Sequence, residues 1–178
     1  MDKHPERIGR KLIYTGAVVN VYQDQIKLAD GRVENWDFVE HPMGAACVVP
    51  ITEDGQIIMV RQYRPALDRY TLELPAGKRD SLTEDTLITA KRELGEETGY
   101  TTDNWQKLIS LKTTVAFCNE FIDVYLARDV VRTKGQDLDP DEDIEIKEYS
   151  PDWLREEIYS GRIQDAKTVA GIMSYLAM

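Results

Sequence analysis

Apolar and polar residues alternate from Lys11 to Glu40. The stretches KLIYTG, VVNVYQDQIKLA and RVENWDFVEH carry the two-residue period of half-buried strands. Asp30-Gly31 separates the last two and marks a hairpin turn. Residues 1–10 are polar and read as loosely held. Two denser apolar runs follow, AACVVPI at 45–51 and IIMVRQY at 57–63, divided by the turn-forming EDGQ. Their near-continuous apolar character predicts central strands. YTLEL at 70–74 predicts a short strand leading into Pro75-Ala76-Gly77. A helix is predicted over roughly 84–98. Ser81, Thr83 and Asp85 crowd its start, and Gly99 stops it. KLISLKT, FIDVYLA and IEIKEYS read as further strands. Residues 129–143 form a polar, acidic loop, and amphipathic helices close the chain near 151–159 and 165–177. There is no internal repeat, low-complexity tract or interdomain linker. Strands and helices mixed in this way indicate α+β or α/β/α layers.

The length of 178 residues suits one domain with a real core and a small appendage. The reading is an N-terminal antiparallel β unit over residues 1–42 and a main domain over 43–178. The formal net charge of −10 argues against nucleic acid and anionic membranes as partners. A phosphate-bearing substrate would then need bound cations or a local Arg cluster to reverse the field. Cys47 and Cys118 lie in apolar surroundings without CxxC spacing and read as buried thiols. His4 and His41 are too few for a His-based zinc site. No apolar run reaches membrane-spanning length and no signal region opens the chain, so a cytoplasmic location is expected.

The segment that changes the picture is GKRDSLTEDTLITAKRELGEETGY, residues 77–100. Glu93, Glu96 and Glu97 stand at i, i+3 and i+4, on one side of a helix, close enough to share a cation. Leu87, Ala90 and Leu94 occupy another face at core spacing. The helix should therefore bury one face and present three carboxylates on another. Like charges at this spacing repel by a few tenths of a kcal/mol per pair, roughly. The helix C-terminus disfavours anions as well. Two unfavourable effects in one place point to a divalent cation such as Mg²⁺ or Mn²⁺. Taken alone, the run would also suit a solvated acidic face.

The wider segment resembles the Nudix box, G-x5-E-x7-R-E-U-x-E-E-x-G-U with U a bulky apolar residue. Glu84, Arg92-Glu93-Leu94, Glu96-Glu97, Gly99 and Tyr100 fall in register. Six residues, not five, separate Gly77 from Glu84, so the loop is one longer than the pattern. The resemblance implies an α/β/α Nudix sandwich, a mixed β-sheet between helices preceded by the antiparallel unit. It implies that Glu93 and Glu97 bind metal, that Glu96 shares in this, and that the Ala76 carbonyl completes the coordination. Arg92 would orient the carboxylates, and water would attack a phosphorus of a diphosphate.

VRQYRPALDRYTLELPAGK at 60–78 and ENWDFVEHP at 34–42 resemble the segments flanking the box in ADP-ribose and ADP-sugar pyrophosphatases. By that resemblance Arg64 contacts the substrate diphosphate and Trp36 stacks on the adenine. Asp165 starts the closing helix as its N-cap. The subfamily resemblance also implies a homodimer with the N-terminal unit exchanged between subunits. Two departures stand out. Val115-Ala116-Phe117 replaces the subfamily's Pro-containing S-P-G-F motif. Pro140 falls where a catalytic Glu is expected, leaving Glu142 as the first choice of general base, ahead of Asp141 and Glu120. Glu120 is also a candidate for holding substrate. The expected reaction is Mg²⁺-dependent hydrolysis of ADP-ribose or a related nucleoside diphosphate sugar to AMP and a sugar phosphate. The alternatives are a Nudix hydrolase of another nucleotide (a GDP-sugar, NADH or a dinucleoside polyphosphate), or a nucleotide-sensing Nudix regulator without catalysis.

Overall fold

Alternation in the first forty residues folds into a three-stranded antiparallel sheet of β1 (Glu6–Thr15), β2 (Asn20–Lys27) and β3 (Val33–Glu40). The structure is a computed structural model and describes residues 4–140 and 142–178. The expectation of a loose N-terminus fails from Glu6 onward. That segment has a partner, because Glu6 pairs with Lys27 and Thr15 with Asn20 along the length of β2. Asp30-Gly31 turns the second hairpin. Gly31 takes φ +90°, and Leu28 N–H donates to Arg32 O at 2.8 Å. The sheet lacks a deep apolar core and relies on cross-strand chemistry. Buried Asp24 accepts two hydrogen bonds from Arg10, both 2.6 Å, and the guanidinium lies 4.0 Å from the Phe38 ring centroid. Residues 112–120 join this compact unit of Met1–Gly44. Within it Val39 bridges Cys118, and His41 N–H donates to Asn119 Oδ1 at 2.8 Å.

The second compact unit comprises Ala45–Leu111 and Phe121–Met178. Its strands are β4 (Ala45–Pro50), β5 (Ile57–Arg64), β6 (Arg69–Glu73), β7 (Ala76–Lys78), β8 (Tyr100–Thr101), β9 (Asn104–Lys112), β10 (Phe121–Arg128), β11 (Val131–Arg132) and β12 (Ile144–Tyr149). Its helices are α1 (Thr86–Thr98), α2 (Pro151–Tyr159) and α3 (Ala166–Leu176). The two dense apolar runs are central strands, as expected. β4 lies inside the order β7-β4-β10-β9, parallel to β10, and β5 lies inside β12-β5-β6.

Period-two alternation in β4 decides the layering. Cys47, Val49 and Ile51 face one core cluster with Leu154 of α2 and Ile172 of α3. Ala46 and Val48 face a second cluster with Ala90 and Leu94 of α1. One strand thus feeds two helical layers, which is the α/β/α sandwich with a mixed sheet. Gly171 lets α3 approach closely, since a Cβ there would stand 2.7 Å from Leu74 Cδ1. Cys47 is buried as expected and its thiol is pushed up to about 12 by burial, whereas Cys118 is only partly buried; both are free. Among the described residues no helix is long and apolar enough to cross a membrane.

Candidate active site

α1 carries the site, and its ends are fixed by residues visible in the sequence. Asp85 caps the start, accepting from Leu87 N–H at 2.8 Å. Gly99 ends it in the left-handed region at φ +75°. A Cβ there would collide with the Lys134 carbonyl. Glu84 lies just outside the helix. Its Oε2 accepts from Asp80 N–H (2.7 Å) and from Thr89 Oγ1 (3.0 Å), so it closes the loop that is one residue longer than the pattern.

The expected carboxylate face needs correcting. Glu93 and Glu97 are buried, and only Glu96 is partly open. The helix turns these two glutamates toward β7 instead of solvent. Room comes from Gly77, where a Cβ would overlap the Glu93 carboxylate. Glu97 Oε2 accepts from Ala76 N–H at 3.1 Å. Arg92 stands 2.8 Å from both Glu93 Oε1 and Glu96 Oε2 and donates to Lys78 O at 2.9 Å. It therefore holds the helix against β7.

Burial pushes the Glu93 carboxyl up to about 7; Arg92 pulls it down, while Glu96 and Glu142 push it further up. Burial raises Glu97 well above the ordinary carboxylate range, with Glu93 adding to the effect and the Ala76 N–H opposing it. Among the described residues no three carboxylate, imidazole or thiol groups form a ready-made metal shell. The donor set nevertheless suits a hard divalent cation, being made of carboxylate oxygens. Two neighbouring buried carboxyls with raised pKa values carry the electrostatic cost that such a cation relieves. Glu93, Glu96 and Glu97 would hold it.

Glu93 and Glu96 border a cleft of about 570 Å³, lined also by Ala76, Asp80, Asp137, Asp139 and Glu142, and Glu97 lies buried behind Ala76. Glu142 is exposed and accepts from Asp139 N–H at 3.1 Å. Asp141 lies outside the described residues. Arg64 sits at the end of β5 and gives buried Glu73 two hydrogen bonds of 2.7 Å each. Glu73 also receives Lys167 Nζ at 2.5 Å and Thr71 Oγ1 at 2.6 Å. Burial alone would raise the Glu73 carboxyl, but Arg64 and Lys167 hold it down to about 2. This ionic group borders a second cleft of about 410 Å³ with Arg69 and Arg162. Asp165 caps α3 as expected, accepting from Thr168 N–H at 3.1 Å, and it also accepts from Lys167 Nζ at 2.9 Å.

Trp36 and Glu120 belong to the first unit. Trp36 is exposed and borders an apolar hollow with Val39, Ala116 and Phe117. Glu120 accepts from Thr113 Oγ1 at 2.7 Å and lies 3.8 Å from His41 Nε2. Sequence reasoning missed Glu73 and Lys167. The available signal was Glu73 itself, a carboxylate between two leucines just before Pro75.

The sequence profile of the NUDIX domain matches residues 41–171. The chain belongs to the NUDIX family. It is 36% identical over 166 residues to the ADP-ribose pyrophosphatase of Bacillus subtilis (strain 168), covering 93% of this chain and 89% of that protein. It is 38% identical over 161 residues to the methanol dehydrogenase activator of Bacillus methanolicus, covering 90% and 86%. A crystal structure of an ADP compounds hydrolase superposes with a TM-score of 0.87 at 18% identity, over 97% of this chain and 92% of that one. That structure establishes the likeness of fold. Of the box residues of this Nudix chain, Gly77, Arg92, Glu93 and Glu96 line the cleft.

Proposed function

We propose that this Nudix protein uses Mg²⁺, with Mn²⁺ as a substitute, to hydrolyse ADP-ribose or a related nucleoside diphosphate sugar to AMP and a sugar phosphate. The observation that carries this reading is the cleft itself, where Glu93 and Glu96 face Glu142 across about 570 Å³ beside Ala76 and Gly77. Likeness to an ADP-ribose pyrophosphatase along nearly the whole chain supports the substrate.

Bound there, the metal supplies Lewis acidity toward the diphosphate oxygens and lowers the pKa of water. The chain's own residues do the rest. Arg92 keeps Glu93 and Glu96 in place through contacts of 2.8 Å. Ala76 N–H orients Glu97. Glu142 accepts a proton from the attacking water, with Asp141 and Glu120 as the weaker candidates. The water oxygen bonds to one phosphorus, the bridging P–O bond breaks, and the released phosphate oxygen keeps the electron pair. Arg64 receives the diphosphate charge, Trp36 offers its ring to the adenine, and Glu120 contacts substrate. The partners we propose are the nucleotide and a second copy of the chain, without nucleic acid or membrane, in the cytoplasm.

Hydrolysis of another nucleotide is the second reading, favoured by Val115-Ala116-Phe117 in place of the Pro-containing motif. The test is a phosphate-coupled assay over ADP-ribose, ADP-glucose, GDP-mannose, NADH and a dinucleoside polyphosphate with Mg²⁺. Preferred turnover of ADP-ribose to AMP is expected, with Glu97→Gln folded but inactive. Trp36→Ala should raise KM more than it lowers kcat. Turnover by folded Glu97→Gln would refute the metal assignment. Tight nucleotide binding with no turnover of any compound would make the protein a sensor.

A further inference from the structure

The acidic segment before β12 is attached to the metal helix by more than its charges. An α-helix leaves its last carbonyls without intrahelical partners. Here the loop supplies donors to them. Thr133 N–H and Lys134 N–H donate to Gly99 O at 3.0 and 3.3 Å, and Asp137 N–H donates to Glu96 O at 2.9 Å. The Gln136 side chain completes the set. Its Nε2 donates to Glu97 O at 2.8 Å and to Ile144 O at 2.9 Å.

That single amide joins three things. Glu97 is the more deeply buried of the two buried box glutamates. Ile144 is the first residue of β12, buried and paired with Gln62 of β5. Between Gln136 and Ile144 runs the span that puts Asp137, Asp139 and Glu142 on the cleft wall. Asp137 N–H fixes the start of the span to the helix, and the Gln136 amide fixes its end to the same helix. Within the span, Glu142 N–H donates to Asp139 O at 3.0 Å. The base of the loop is closed, and Glu142 stands on the closed loop.

We propose that Gln136 is a positioning residue: by clipping Ile144 to the backbone of Glu97 it sets where the Glu142 carboxylate stands relative to the metal-binding glutamates. The inference rests on the reading of Glu142 as general base. Gln136 is half-buried and its two acceptors are neutral carbonyls. Losing the amide would let water replace both bonds, so the fold should survive. The base of the loop would widen, and Glu142 would lose its fixed distance to the attacking water. Displacement of a catalytic group by about 1 Å is enough to cost up to two orders of magnitude in rate.

The test is a double-mutant cycle on the full-length protein with ADP-ribose and Mg²⁺. Gln136→Met keeps the length and bulk of the side chain and removes both donors. It should lower kcat roughly tenfold or more with KM little changed. Glu142→Gln should lower kcat strongly. In the Glu142→Gln background, adding Gln136→Met should change kcat less than about twofold, since the group it positions is already gone. Gln136→Asn, one methylene too short to span both carbonyls, should repeat the pattern and serves as the second variant if the first is unstable.

Unchanged kcat in folded Gln136→Met would overturn the proposal. An equal fractional loss in both backgrounds would overturn it as well, because Gln136 would then be serving the fold alone. If Glu142→Gln itself keeps full kcat, the reading of Glu142 fails and the role of Gln136 fails with it. Gln136→Met losing activity only where Glu142 is present would establish it.

Discussion

Gly77 lacks a side chain where Glu93 needs the space. The overlapping atoms are the far end of a flexible glutamate, which can swing away without moving the backbone. Gly77→Ala should therefore fold with a melting temperature within a few degrees of the parent. Its kcat should fall about a hundredfold, because the Glu93 carboxylate is displaced from the cleft. Thermal melting and steady-state kinetics on the same preparation separate the two effects. A large loss of stability would show that Gly77 serves the backbone, and full activity would remove Glu93 from the site. The box glycine is legible in the sequence, but its reason is not. Only the approach of β7 to α1 reveals that a Cβ and a carboxylate compete for one place.

At the scale of elements, the link from β6 to β7 connects the ionic group to α1. Glu73 binds Arg64 and Lys167. Leu74 N–H donates to Thr168 Oγ1 of α3 at 2.9 Å. Pro75 O accepts from Val48 N–H of β4 at 2.9 Å, and Ala76 N–H reaches Glu97. Four successive residues thus tie β5, α3, β4 and α1 together. The Glu73 carboxyl is held down to about 2 in the fold, below its ordinary value of 4.5. A carboxylate with a depressed folded pKa stabilises the fold above its unfolded pKa and loses that contribution as pH falls through the folded value. The advantage of the parent over Glu73→Gln should be full from about pH 5 upward, on the order of 3 kcal/mol. It should shrink steadily between pH 4.5 and 2. Urea unfolding at a series of pH values measures it. A difference that does not change with pH would mean that Glu73 acts through packing and not through its charge.

At the scale of the molecule, the first unit leaves large apolar side chains open to solvent. Leu12, Ile13, Tyr14 and Val18 are each at least half exposed. Large apolar side chains left open on a small sheet suit a protein interface. We expect the wild-type chain to sediment as two copies at micromolar concentration, and Ile13→Asp to shift it toward one. Sedimentation equilibrium decides this, and a wild-type monomer at that concentration would sink the homodimer reading. The same sheet shows where sequence reasoning runs short. Residues 6–10 read as loose because their own pattern is polar. They are a strand because Arg10 finds Asp24 across the hairpin, a pairing between residues far apart in the chain.

The sequence by itself determined what depends on local physics. Hydrophobic period placed the central strands β4 and β5. Asp85 and Gly99 bounded α1, and Asp165 opened α3, because caps act on backbone groups a few residues away. The i, i+3, i+4 spacing put Glu93, Glu96 and Glu97 on one side of a helix. Tertiary structure decided which way that side faces. The box glutamates were expected on an open face, yet two are buried against β7, since burial belongs to the neighbour a helix meets and not to its own period. The Glu73 group and the Gln136 clip were illegible for the same reason. Each joins side chains or carbonyls from elements distant in sequence, and one chain pattern carries no record of which distant groups will meet.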